Sequence, residues 1–129
     1  MSTFLLSRIR SFGHAFSGWW HVARTQRNAW IHIGVTALVL AVSFWLRLDA
    51  RDWAVIILVT AMVFITEFLN TALEVVVDLA SPQQNPLAKV AKDVAAGAVL
   101  LAAITAVLVG LLILGPPLWA TVSSWFVAR

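Results

Sequence analysis

With 129 residues, 61% of them apolar and 12% charged, the chain is long enough for a single domain and lies outside the compositional range of soluble proteins. Its formal net charge of +3 comes from basic residues that flank apolar runs and form no stripe interleaved with aromatics, which argues against a nucleic-acid partner. There is no cysteine, so disulfides, thiolate nucleophiles and cysteine-held metals are excluded, and any metal must rest on oxygen or imidazole.

Met1 to Arg10 lack the apolar core and small-residue cleavage site of a signal peptide, so the amino terminus is expected to belong to the mature protein. Residues 7 to 27 hold Arg8, Arg10, Arg24 and Arg27, too many for a span, while Ile9, Phe12, Phe16, Trp19 and Ala23 recur near helical spacing. That pattern predicts an amphipathic helix lying in the inner membrane interface. From Ala29 to Leu46 the only ionisable group is His32, and the run measures about 27 Å as a helix, enough to cross a hydrocarbon core. Arg47, Asp49, Arg51 and Asp52 then mark a loop, after which a second span is predicted over 53–77. A turn is expected at Ser81-Pro82 and Asn85-Pro86. The third span, 94–114, carries no charge and is expected to stop at Gly115-Pro116-Pro117, leaving 116–129 as a tail on the outer side.

Backbone polar groups find no water in lipid, and three segments are too few for a closed barrel, so the fold is predicted to be all-α, with three transmembrane helices. The distribution of basic residues places the amino terminus and the loop from Asp78 to Asp93 on the cytoplasmic side. Trp45, Trp53, Trp119 and Trp125 then fall at the outer ends, as an aromatic belt would. Ala91, Ala95, Ala98, Ala102 and Ala106, with Gly97 adjacent, give the third span a face of small residues, so oligomerisation is expected on packing grounds.

The second span contains Glu67, Asn70, Glu74 and Asp78 at offsets of 0, 3, 7 and 11. At about 100° per residue these fall within a stripe about 80° wide. A charged side chain near mid-bilayer costs roughly 2.5–3.5 kcal/mol on insertion scales, and stacked like charges add repulsion. Asn70 alone could be interhelical glue; the whole stripe needs a function. Carboxylates at a membrane face suit Mg²⁺, a hard cation that commonly bridges to phosphates, and so suggest a nucleotide. Lys92 and Asp93, at the start of the third span, suit phosphate binding, with interfacial anchoring and helix capping as the plainer alternative. No Gly-rich phosphate cradle of the P-loop or protein-kinase type is present, so phosphate would be held by side chains and metal. Glu67 lies about 16 Å below Asp78 along a regular helix, at a depth where a general base would meet only a membrane-dissolved hydroxyl.

Three segments, R24-T-Q-R-N-A-W-I-H32, E67-F-L-N-T-A-L-E-V-V-V-D78 and S81-P-Q-Q-N-P-L-A-K-V-A-K-D-V-A-A-G-A-V-L100, resemble the prokaryotic diacylglycerol kinase family, and within it the undecaprenol kinase branch. The similarity extends from about residue 8 to residue 114. It implies a homotrimer of three-span subunits with a surface helix, in the bacterial inner membrane, with active sites shared between neighbours and MgATP as co-substrate. By position, Glu67 would be the catalytic base supported by Asn70, both facing the lipid substrate, and Glu74 would hold Mg²⁺. Asp78, Lys92 and Asp93 would serve the nucleotide, with Arg10, His14 and the turn from Gln83 to Asn85 lining its pocket. Two positions depart from the family pattern. Gln26 stands where a second metal-binding glutamate is usual, and Asn85 stands where many relatives carry histidine. The implied activity is phosphorylation of undecaprenol to undecaprenyl phosphate, with diacylglycerol as the alternative substrate. An oligomeric channel or carrier, or an inactive assembly protein, would be the readings from another class.

Overall fold

The structure, a computed structural model, describes residues 3–83 and 85–127. Gln84 of the expected turn and residues 128–129 of the expected tail lie outside the described residues. Four helices follow one another: α1 (Thr3–Thr25), α2 (Arg27–Trp45), α3 (Ala50–Ala80) and α4 (Pro86–Val127). No strand occurs among the described residues. The last three helices are long and apolar enough to cross a membrane, in agreement with the three predicted spans.

The junctions have identifiable chemical causes. α1 and α2 are separated by one residue, Gln26, whose extended backbone (φ −103°, ψ 113°) breaks the helical path and whose side chain makes no capping bond. Gln26 N–H still donates to Val22 O at 2.9 Å, closing the last turn of α1. α2 ends in a Schellman motif. Arg47 N–H donates to Phe44 O at 3.1 Å and Leu48 N–H to Ser43 O at 3.2 Å, which satisfies carbonyls that the helix end would otherwise orphan. Arg47 occupies the left-handed position of that motif with φ 54°, a place that favours glycine. Two residues later Asp49 caps α3, its Oδ1 accepting from Arg51 N–H at 2.8 Å and Asp52 N–H at 2.9 Å. Asp52 in the first turn opposes the positive helix end. The charges expected to form a loop thus belong largely to the start of a helix. α3 stops at Ser81 because the following Pro82 disfavours helical backbone there. α4 begins with Pro86 at its first position and Asn85 as its cap, Asn85 Oδ1 accepting from Leu87 N–H at 2.9 Å.

The expected stop at Gly115-Pro116-Pro117 is corrected by the structure: α4 runs through both prolines as far as Val127. Each proline removes one backbone donor, a loss that long apolar helices tolerate when neighbours compensate. Thr121 Oγ1 donates to Pro117 O at 2.8 Å, and Trp125 lies against Trp45 at the end of α2, with ring centroids 6.1 Å apart. This aromatic contact gives the last turns of α4 a partner that the local sequence did not reveal. α1 also begins earlier than predicted, at Thr3 instead of residue 7, and ends at Thr25 instead of 27.

α3 and α4 form the principal packed pair, with α1 and α2 resting more lightly on them. The buried face of α3 consists of Ile56, Val59, Val63, Glu67, Asn70 and Thr71, at spacings of three and four. Val99 and Ala102 of α4, Ala29 and Ser43 of α2 and Val22 of α1 complete the interior. The face of α3 that anchors the apolar core therefore continues without a turn into the acidic stripe.

Candidate active site

Because Glu67 and Asn70 lie on the packing face of α3, the helix itself carries them inside. Glu67 is 1% exposed and Asn70 7%. Glu74 is half-buried and Asp78 is exposed, so the stripe runs from the interior to the surface within one helix. Its upper residues are tied together. Asn70 Nδ2 donates to Glu74 Oε1 at 3.0 Å, and Gln26 Nε2, from the α1–α2 junction, donates to Glu74 Oε2 at 3.2 Å. Both carboxylate oxygens of Glu74 are thereby engaged.

Glu67 is different. Neither of its carboxylate oxygens has a hydrogen-bond partner, and Asn70 Oδ1 is equally unpartnered. Buried polar atoms without partners cost about 1–3 kcal/mol each, so a fold built only for stability would not keep three of them on two residues one helical turn apart. Thr71 Oγ1 donates to Glu67 O at 2.9 Å and helps hold the local turn, leaving the carboxylate itself unengaged.

Helix α1 is set over this region by aromatic contacts. Trp19 stacks on Phe68, the neighbour of Glu67, with ring centroids 5.9 Å apart and planes 24° from parallel, and Phe16 meets Trp19 edge-on at 6.0 Å. The Arg24 guanidinium lies 5.2 Å from the Trp20 ring centroid.

Beyond the stripe, a cleft of about 630 Å³ opens between the ends of α3 and α4, lined by Asp78, Gln83, Asn85, Lys89 and Lys92 among others. That volume lies within the range of small-molecule sites. Lys92 pairs with Asp78 across the α3–α4 turn, and Lys89 pairs with Asp93 along α4. Four of the expected nucleotide residues, Asp78, Gln83, Asn85 and Lys92, therefore share one cleft, while Asp93 adjoins it through Lys89. Arg10 and His14 are elsewhere: they line a separate groove of about 380 Å³ on α1 with Leu6, Ser7 and Ser11. Two neighbours of the site were not singled out from the sequence. Lys89 faces the cleft, a position readable from its spacing to Lys92 and Asp93. His32 stands edge-on to Phe64, centroids 6.4 Å apart, and with Glu74 is the titratable neighbour of Glu67; its signal was its solitude in the first span.

Among the described residues no three acidic or histidine side chains converge as a closed metal cage. The donors around Glu74 are nonetheless all hard: one carboxylate, the Gln26 amide and Asn70, whose Oδ1 is an orphaned acceptor. A partial set of this kind fits Mg²⁺, which keeps several waters and is commonly held by one or two carboxylates together with substrate phosphates.

Residues 13–114 match the sequence profile of the family described as prokaryotic diacylglycerol kinase. The chain is 44% identical over 110 residues to the undecaprenol kinase of Bacillus subtilis, a match covering 85% of this chain and 89% of that protein. It is 50% identical over 109 residues to the diacylglycerol kinase of Synechocystis sp., covering 84% of this chain and 62% of the longer relative. A further match, 34% identical over 107 residues, is to the diacylglycerol kinase of Escherichia coli, of which 82% is covered.

Proposed function

This chain belongs to the prokaryotic diacylglycerol kinase family and is thereby a lipid kinase, and on that premise we propose that it phosphorylates undecaprenol at the cytoplasmic face of a bacterial inner membrane, using MgATP. The observation that carries the reading is Glu67: a carboxylate 1% exposed, with both oxygens unpartnered, halfway along a helix long and apolar enough to span a bilayer.

Glu67 takes the proton of the lipid hydroxyl as that oxygen bonds to the γ-phosphorus. The bond from the γ-phosphorus to the β–γ bridging oxygen breaks, and ADP leaves. Asn70, with its unpartnered carbonyl oxygen, orients the hydroxyl beside the base. Asp78, Lys92 and Asp93 hold the nucleotide in the cleft with Gln83 and Asn85, the cap role of Asn85 fixing the loop that presents it. Glu74 and Gln26 would hold Mg²⁺, which would supply positive charge to offset that of the phosphate oxygens. Arg10 and His14 on α1 complete the nucleotide pocket of a neighbouring subunit in a homotrimer, an arrangement consistent with their lining a groove separate from the cleft in one chain. The exposed Gly97 and Ala98 on α4, where a side chain added at Gly97 would touch nothing, give such a trimer a surface for close helix approach. α1 then lies in the inner interface as an amphipathic helix.

Identity to the Synechocystis relative supports diacylglycerol as the second candidate substrate. Purified protein given γ-labelled ATP and a panel of undecaprenol, diacylglycerol and unrelated lipid alcohols decides between them. Label in undecaprenyl phosphate is expected; label confined to phosphatidic acid or to another alcohol of the panel would replace the substrate, and label in no lipid would remove the kinase reading.

A further inference from the structure

The flank of Glu67 that meets α1 and α2 bears on which lipid alcohol can reach the base, a question that rests on the kinase reading and deepens it. We propose that Phe64, Phe68 and His32 are specificity-determining residues: they admit a lipid whose hydroxyl is carried directly on hydrocarbon and discriminate against one with ester groups beside the hydroxyl.

The helical period places these rings next to the base. At about 100° per residue, Phe64 and Phe68 lie about 60° and 100° from Glu67 on one side of the stripe, and Asn70 lies about 60° away on the other. Both rings are held by neighbouring helices. The His32 ring of α2 meets Phe64 edge-on with centroids 6.4 Å apart, and the Trp19 ring of α1 is stacked on Phe68 at 5.9 Å. Phe16 extends this layer through its edge contact with Trp19. The unpartnered carboxylate of Glu67 thus has an aromatic wall along one side.

Hydrogen-bond donors are scarce on that side. Thr71 gives its hydroxyl to Glu67 O, Thr66 gives its own to carbonyls of α3, and Asn70 turns its amide to Glu74. Among the described residues this leaves the His32 ring, with the Trp19 indole one layer further out, beyond Phe68. The next hydroxyls are deeper: Thr60 stands seven residues from Glu67, about 10 Å along α3, and Thr36 one turn beyond His32 on α2. One donor suits the single oxygen of a prenol. A diacylglycerol brings two ester carbonyls within a few bonds of its hydroxyl. Against phenyl rings each is left an unpaired buried acceptor, at a cost of about tenfold or more in kcat/KM. Hydrocarbon beside the hydroxyl carries no such penalty.

The test gives the full-length protein in nanodiscs γ-labelled ATP with undecaprenol, a diacylglycerol or the matching dialkylglycerol, in which ethers replace the esters and no carbonyl remains. In the wild type, kcat/KM is expected to be about tenfold or more higher for the dialkyl than for the diacyl form. Phe64→Tyr and Phe68→Tyr keep the ring and add one O–H, and are expected to narrow that gap about threefold or more. Phe64→Leu and Phe68→Leu, which add no donor, are expected to leave it. Equal use of the diacyl and dialkyl forms by the wild type, an unchanged gap in both tyrosine variants, or a leucine variant narrowing it as much as its tyrosine counterpart would overturn the proposal. Should the tyrosine variants fail to assemble, the wild-type comparison decides it. The undecaprenol arm judges the substrate reading and the diacyl–dialkyl pair judges the proposal, so either can fail alone. Label in no lipid would remove the kinase reading and the proposal with it.

Discussion

Gln26 and Glu74, 48 residues apart in sequence, are joined by a hydrogen bond of 3.2 Å that ties the break between α1 and α2 to the acidic stripe of α3. A neutral side chain at this joint lets the carboxylate rest against the protein instead of against a counter-ion, and it places the break between α1 and α2 within one hydrogen bond of the acidic stripe. Glu74→Gln is therefore expected to leave the helices assembled but to raise the Mg²⁺ concentration needed for half-maximal turnover by about tenfold or more, the direction expected when the carboxylate beside Gln26 is lost. An unchanged Mg²⁺ curve for lipid phosphorylation would remove Glu74 from the cation site.

Trp19 over Phe68 tests the placement of α1. An aromatic pair contributes about 0.5–1.5 kcal/mol beyond its buried area, so Trp19→Ala is expected to raise the KM for ATP up to about tenfold while kcat changes less. Trp19→Phe is expected to retain most of the wild-type KM. Steady-state kinetics at saturating lipid make the comparison, and a loss confined to kcat would show that α1 serves something other than the nucleotide.

Arg47 holds a left-handed backbone at a place suited to glycine. Arg47→Gly is expected to stabilise the α2–α3 turn by about 1 kcal/mol, read as a higher midpoint of thermal unfolding with unchanged turnover. A lower midpoint would mean that the arginine side chain contributes more there than its backbone costs.

Asp49→Ala removes the acceptor for two backbone N–H groups at the start of α3. A loss of about 1 kcal/mol is expected, again with turnover intact, since the cap lies at the opposite end of α3 from Asp78.

Much of this architecture is legible in the residues themselves. The three apolar runs and the stripe from Glu67 to Asp78 follow from period and composition alone, because a membrane leaves the backbone one regular option and a buried carboxylate has few cheap explanations. What escaped was set by tertiary contact or by cap chemistry. α4 passes Pro116 and Pro117 with Trp125 packed on Trp45, a pairing of distant segments that no local signal announces. Asp49 and Asp52 read as loop charges until the cap geometry shows them starting α3. Within the site, the order of burial along the stripe could be anticipated, but the satisfaction of Glu74 by two amides could not. Spacing cannot say that Gln26 reaches across from the α1–α2 junction.

The decisive measurement is transfer of label from γ-labelled ATP to undecaprenol by Glu67→Gln, compared with wild type at equal amounts of assembled protein. Glu67 makes no side-chain hydrogen bond that the amide would break, so the variant is expected to assemble and to keep its affinity for a non-hydrolysable ATP analogue. Turnover is expected to fall by about 10²–10⁴-fold, the contribution of a positioned general base. Phosphorylation by Glu67→Gln at a rate close to wild type would contradict the account at its centre.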